Sequence, residues 1–260
     1  MRKHHYFFID ESGDPTFYGR RKRPLWTEPT FKPILMMGMV VVEDKQALYQ
    51  RVLDFQKAIL NDPLFNTIYS VKQPNWFLHA SKDHSEIRLK FIEFLRKEED
   101  IKCYITIGRK HPDIFHNKHN GNAAEFYFDM LNKLLGQFDY VDGDKHLLFL
   151  SERQSTTQER FVNALQKALN KQRKQMTHKD FICRVVKSRD YPESSVADYF
   201  LWVLNWYITT GEKRYFTALE NKYEEIYDVY ENAGKGRIYN KSDGFDISKA
   251  SSFADRKSVV

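Results

Sequence analysis

Four apolar residues, Tyr6-Phe7-Phe8-Ile9, run without a break into Asp10-Glu11-Ser12-Gly13-Asp14-Pro15. A short continuous apolar run is what a buried strand requires, and the Asp, Ser, Gly and Pro that follow are turn formers. The chain therefore opens on a central strand. That puts Asp10 at the strand's carboxyl end, where open α/β sheets gather their ligands. Three acids within five residues also repel one another unless solvent or a cation comes between them. The competing reading is ordinary turn chemistry, with Asp14-Pro15 as a turn initiator.

Beyond this strand, residues 15 to 33 carry Pro24, Pro29, Pro33 and the block Arg20-Arg21-Lys22-Arg23, a longer loop than compact domains usually hold. Ile34 to Val42 reads as a second strand, and the Asp44 region can cap a helix through about Leu60. Residues 61 to 83 are irregular. Helical spacing then returns from Ser85 to Lys97, and Lys102 to Gly108 alternates as a strand. Asn122 to Phe138 reads as a helix, Lys145 to Leu150 as a strand, and the polar Ser151 to Thr157 leads into a helix ending near Gln175. Phe181 to Val186 is expected to be the last strand. Val196 to Ile208 is apolar nearly all round and so buried on several sides. Lys213 to Val229 is expected to be an amphipathic helix. The alternation of strands and helices predicts a single α/β domain over residues 1–233, with a sheet flanked by helices and an extra C-terminal helical segment. Residues 234–260 turn to Gly, Lys, Ser and Asp and are expected to be a mobile or weakly docked tail.

Several function classes drop out. The longest apolar run is too short to span a bilayer, and the N-terminus meets a charge too soon for a signal peptide, so a cytoplasmic protein without a membrane partner is expected. Cys103 and Cys183 read as reduced thiols rather than a disulfide or a metal pair. His111, His116 and His119 have no familiar zinc spacing. Gly234-Lys235-Gly236 lacks the spacing of a phosphate loop, so no nucleotide cofactor is expected. The net charge of +6 attracts polyanions, and its clusters, Arg20-Arg21-Lys22-Arg23 and the group including Lys171, Arg173 and Lys174, are candidate nucleic-acid contacts.

Four further residues are candidates for chemistry. Asp198 is the only charge between Glu193 and Glu212 in an otherwise apolar segment. A buried charge costs several kcal/mol unless paired or bound to metal, while a capped first helical turn would explain it without function. Glu152 follows the Lys145 to Leu150 strand and can reach the strand-end side, or pair on the surface with a neighbouring Arg. His79 and Asp83 lie four residues apart in a loop.

Three separated pieces together resemble a known family. They are Phe8-Ile9-Asp10-Glu11-Ser12-Gly13-Asp14, Phe77-Leu78-His79-Ala80-Ser81-Lys82-Asp83 and Val196-Ala197-Asp198-Tyr199-Phe200-Leu201-Trp202. Their order and spacing resemble the bacterial and phage proteins grouped as domain of unknown function 3800. The resemblance implies a ribonuclease H-like fold with a central mixed sheet, and an acid cluster binding Mg²⁺ or Mn²⁺. It matches Asp10 and Asp198 to acids of that cluster, and Glu11 and Asp14 to the rest of the acidic turn. Where relatives carry an aspartate at the end of the fourth strand, this chain has Ser151 followed by Glu152.

The function expected is divalent-metal-dependent hydrolysis of phosphodiesters in DNA or RNA. Asp10, Glu152, Asp198 and Asp14 are the expected metal ligands, with Glu11, His79 and Asp83 assisting in catalysis. The rivals are a non-catalytic nucleic-acid-binding or assembly module, including an oligomeric one, and a structural metal site. On charge alone, reversing Arg20, Arg21, Lys22 and Arg23 should weaken nucleic-acid binding for all sequences alike, since phosphate contacts carry no base information. A salt-titrated anisotropy measurement checks this; binding that is insensitive to salt would contradict it.

Overall fold

Apolar runs too long for one exposed face dictate where the sheet's centre lies. All nine residues of β2 (Ile34–Val42) are buried, and the core of β1 (His4–Ser12) is buried at Phe7, Phe8 and Ile9. Both strands must therefore be covered on both sides. With β3 (Lys102–Arg109), β4 (Lys145–Ser151), β5 (Phe181–Val186), β6 (Tyr223–Asp228) and β7 (Arg237–Asn240) they form one mixed sheet in the order β5-β4-β1-β2-β3-β6-β7. Strands β1, β3, β4, β5 and β6 run one way, and β2 and β7 run the other. The computed structural model describes residues 2–152, 158–171, 180–231 and 235–250.

Helices cover both faces. α1 (Lys45–Asn61), α2 (Ser85–Lys97), α6 (Ser194–Thr210) and α7 (Arg214–Leu219) share one core with Phe8, Met36 and Phe149. α3 (Pro112–His119), α4 (Ala123–Leu135) and α5 (Gln158–Lys171) share the other with Phe7, Ile9 and Leu148. Asp44 caps α1 by accepting from the Ala47 N–H at 2.9 Å, as its position before a periodic segment predicts. Asn122 does the same for α4, accepting from Ala124 at 2.9 Å. No helix among the described residues is long and apolar enough to cross a membrane.

The α/β architecture with a mixed, helix-flanked sheet is as expected, but its C-terminal third is not. Phe181–Val186 is not the last strand. Within the segment expected to be a helix from Lys213 to Val229, only Arg214–Leu219 is α-helical, and Tyr223–Asp228 pairs in parallel with β3. The aromatic and apolar positions of Tyr223, Ile226 and Tyr227 suit either a helix face or a strand, and the open edge of β3 decides between them. The segment expected to be a tail also contributes to the fold. Arg237–Asn240 adds β7 beside β6, and Phe245 is buried against Tyr239 and Phe216.

At the opposite end of the sheet His146 is fully buried in an aromatic nest, with Phe181, Tyr140 and His5 ring centroids at 5.0, 5.3 and 5.4 Å. Burial, helped by nearby His5, pushes its imidazole down from the usual 6.5 to about 4, against the pull of Asp144 and Asp180. Between these values the unfolded chain binds a proton that the folded chain refuses. Stability should therefore fall as pH drops from about 6.5 towards about 4. His146→Phe, which keeps a flat ring but cannot titrate, should lose less melting temperature than the parent between pH 7 and pH 5. Parallel pH profiles would disprove the assignment.

Candidate active site

The pleat of β1 divides the acidic turn between the two faces of the sheet. Phe8 belongs to the core under α6, while Phe7 and Ile9 belong to the core under α4. By the two-residue period of a strand, Asp10 follows Phe8 and Glu11 follows Ile9. Glu11 accordingly accepts a hydrogen bond from the Tyr127 hydroxyl of α4 at 3.3 Å. It stands across the sheet from the α6 side and is not brought to the Asp10 carboxyl there. Asp14 lies beyond the strand, accepting from the Thr16 N–H at 2.8 Å with the Lys110 ammonium 3.8 Å away. Between them Gly13 ends the strand at φ 93°, where a Cβ would meet the Ile34 carbonyl at 2.7 Å.

α6 supplies the partner. It is apolar on nearly every side and lies close to the sheet because Gly38, paired across from Asp10, has no Cβ; one there would meet Leu201 at 2.8 Å. Asp198, in the first half of this helix, faces Asp10. Burial holds the Asp10 carboxyl well above the usual carboxylate range, and the charges of Asp198 and then Glu11 push the same way. The Glu11 N–H and the Ser151 hydroxyl oppose the shift by hydrogen-bonding to the carboxylate.

The loop before α2 closes over Asp198. The Ala80 N–H donates to Asp198 Oδ2 at 2.7 Å, and His79 Nδ1 lies 3.1 Å from the same oxygen. Ser195 Oγ of α6 donates to the Leu78 carbonyl at 2.8 Å, fastening loop to helix. Asp83 is not at the acid pair itself. It is 3% exposed and accepts from the Tyr199 hydroxyl at 2.6 Å, the His79 N–H at 2.8 Å and Trp76 Nε1 at 3.1 Å. Burial raises its pKa, opposed by these three donors. Asp83 thus holds the loop that presents His79, while Arg88 donates to the Ala80 and Asp83 carbonyls at 3.1 and 2.6 Å.

On β4 the position beside Asp10 belongs to Ser151. The parallel register pairs Ile9 with Leu150, so Ser151 comes next to Asp10, and it is buried at 4% exposure. Its oxygen accepts from Ser188 Oγ at 3.0 Å. Glu152 continues the ladder through its N–H to the Val186 carbonyl at 2.7 Å, so strand alternation turns its side chain away from the face that Ser151 occupies, and that side chain is exposed. Among the described residues, no three His, Cys, Asp or Glu side chains converge as a metal-binding group. The set gathered here is two carboxylates, a hydroxyl and an imidazole. Such oxygen-rich donors fit one hard cation completed by water, and they fall short of the carboxylates that a two-metal cluster uses.

The expected phosphate-gripping groups lie elsewhere. Arg20, Arg21 and Lys22 form an exposed short turn, and Arg23 pairs with Glu28 at 3.4 Å. The loop that bears them packs through Phe17 and Tyr18 against Phe115 and His116 of α3, in the helical layer opposite α6. Lys171 ends α5 in that same layer. Arg173 and Lys174 lie outside the described residues.

Sequence reasoning missed Glu193 at the entry of α6. It is fully buried, with Lys45 Nζ at 2.8 Å, and that ammonium sits 5.6 to 5.9 Å from the rings of Tyr49, Phe149 and Tyr191. A Glu just before a helix ordinarily reads as a favourable first-turn anion. No local signal marks this one as the anchor of the helix that carries Asp198. No protein-family model matches the chain, and a search of curated proteins finds no relative.

Asp83→Ala should leave one buried and two half-buried donors without their acceptor and cost about 3 kcal/mol, given that hydrogen bonds to charged groups are worth roughly 1.5–3 kcal/mol each. Urea unfolding measures the loss. A cost below about 1 kcal/mol would mean that Asp83 does not hold the loop.

Proposed function

We propose that this protein is a divalent-metal-dependent phosphodiesterase of ribonuclease H-like fold that acts on nucleic acid. One observation carries the reading: Asp10 of β1 and Asp198 of α6, far apart in sequence, face each other closely enough for their charges to interact in a half-buried space. Such a pair costs free energy unless a cation balances it. The sheet order, with β2 alone reversed among the first five strands, supports the fold implied by the resemblance. Asp10 and Asp198 would hold Mg²⁺ or Mn²⁺, which would polarise a phosphoryl oxygen and make a bound water more acidic.

The chain's own groups supply the rest. An Asp198 oxygen 3.1 Å from His79 Nδ1 favours the proton on that nitrogen, which leaves Nε2 with its lone pair. At 30% side-chain exposure, His79 can take a proton from water through Nε2. Ser151 steadies the Asp10 carboxylate through its hydroxyl. The net charge of +6 and the exposed Arg20, Arg21 and Lys22 support a polyanionic substrate. Ser151 also favours a second reading. With a hydroxyl where the family it resembles carries an acid, the site suits a nucleic-acid-binding module that has lost turnover.

Asp10→Asn keeps the side chain's shape and removes its charge. It should reduce Mg²⁺- or Mn²⁺-dependent cleavage of mixed DNA and RNA at least a hundredfold while nucleic-acid binding persists. Metal should raise the melting temperature of the parent more than that of the variant. Equal cleavage by both removes Asp10 from the mechanism. Binding without cleavage by either protein selects the second reading, and a metal-induced shift without binding or cleavage selects a structural metal site.

A further inference from the structure

Beyond the acid pair, a recess of about 380 Å³ opens between the end of β1, the approach to β2 and the second half of α6. Its apolar lining includes Phe31, Pro33 and Ile208, and its polar groups are Lys32, Asn205 and Thr209. Ser12 at its rim lies two residues past Asp10, about 7 Å along the strand. Asn205 lies seven residues past Asp198. A heptad brings a helix back to within about 20° of the same face, roughly 10 Å further along the axis. Acid pair and recess thus share one strip of surface, separated by about the length of a nucleotide or two.

From this continuity we infer that the recess is the subsite for one nucleobase flanking the scissile phosphodiester, with Asn205 reading the base edge; the inference rests on the nuclease reading above. A nucleobase needs an apolar slot for its faces and a paired donor and acceptor for its edge. The Asn205 amide offers both, and it has no hydrogen-bond partner among the described residues. An amide of this kind matches adenine's adjacent donor and acceptor in bidentate fashion. Phe31 is stiffened by the Lys110 ammonium 4.2 Å from its ring centroid, and exposed Lys32 can meet a phosphate at the rim. The volume lies near the lower limit for a small-ligand site, so it admits a single base with its sugar. A paired base inside a duplex cannot enter, and the substrate class is therefore single-stranded nucleic acid or a base already turned out of a helix.

The test uses the full chain with a short oligoadenylate and an abasic strand of the same length, followed by anisotropy without metal and by cleavage with Mg²⁺ or Mn²⁺. Asn205→Ala removes the edge contact, and Ile208→Trp fills the slot. Each should weaken oligoadenylate binding about tenfold, as loss of a base contact typically does, while abasic-strand affinity and melting temperature stay unchanged. If the parent binds both strands equally, or the variants bind oligoadenylate as the parent does, the recess is not a base subsite. Cleavage that persists in that case leaves the nuclease reading standing. Base- and recess-dependent binding without cleavage by the parent would keep the subsite and sink the nuclease reading. Absence of both binding and cleavage would overturn both.

Discussion

Two carboxylates drawn together out of bulk water set the terms for this end of the molecule. Burial raises the cost of the Asp10 charge most, and the nearby charge of Asp198 adds to it. Everything that brings them together is therefore built around that cost. Gly38 lets α6 approach the sheet, the Ala80 N–H and His79 occupy one oxygen of Asp198, and the Glu11 N–H donates to Asp10 at 3.0 Å. Behind these, Asp83 and Ser195 pin the loop, and buried Glu193 with Lys45 fixes where α6 begins. Under the proposed function, the half-buried acid pair and the hydrogen bonds fixed around it would serve as a preorganised site for positive charge.

In the proposed function, the two faces of the sheet divide attraction from chemistry. The α6 face carries the acids, the imidazole and the recess beyond them. The opposite layer carries the exposed turn Arg20, Arg21 and Lys22 on its aromatic anchor, and Lys171 at the end of α5. Long-range attraction of a polyanion needs no contact with the reacting atoms, because the field of a basic surface acts over a Debye length of about 8 Å at physiological ionic strength and steers encounter. Extending the sheet past β3 brings its own requirement. Asp228 at the end of β6 is fully buried, and Arg109 at the end of β3 meets it through Nε and a terminal nitrogen at 2.8 and 2.7 Å. Removing either partner of such a pair strands a charge, so the added strands are tied firmly to the core.

Some of this was legible from one-dimensional patterns. Continuous apolar runs marked β1 and β2, helical spacing marked α1, α2 and α4, and a lone Asp in an apolar stretch marked Asp198 as a residue needing an explanation. These signals are local: the period of a strand or helix and the cost of an isolated charge are written in neighbouring residues. The pleat was equally available, since Asp10 and Glu11 cannot point the same way in one strand. What hid it was the assumption that the strand ended before them, whereas β1 continues to Ser12.

The rest depended on contacts between distant segments. Nothing near Tyr223 says whether it begins a helix or a strand, because the free edge of β3 makes that choice, and β7 follows only once β6 is in place. Asp83 reads as a loop acid until Tyr199, Trp76 and the His79 N–H are seen to converge on it. Ser151 rather than Glu152 meets Asp10 because parallel register and alternation select it. The sequence alone determined a buried acidic strand, an apolar helix with one charge and an α/β alternation, since burial and backbone period act over a few residues. Which carboxylates meet, which loop holds them and which edges the sheet extends were decided by tertiary structure, since hydrogen bonds and charge pairing act between surfaces that only folding brings together.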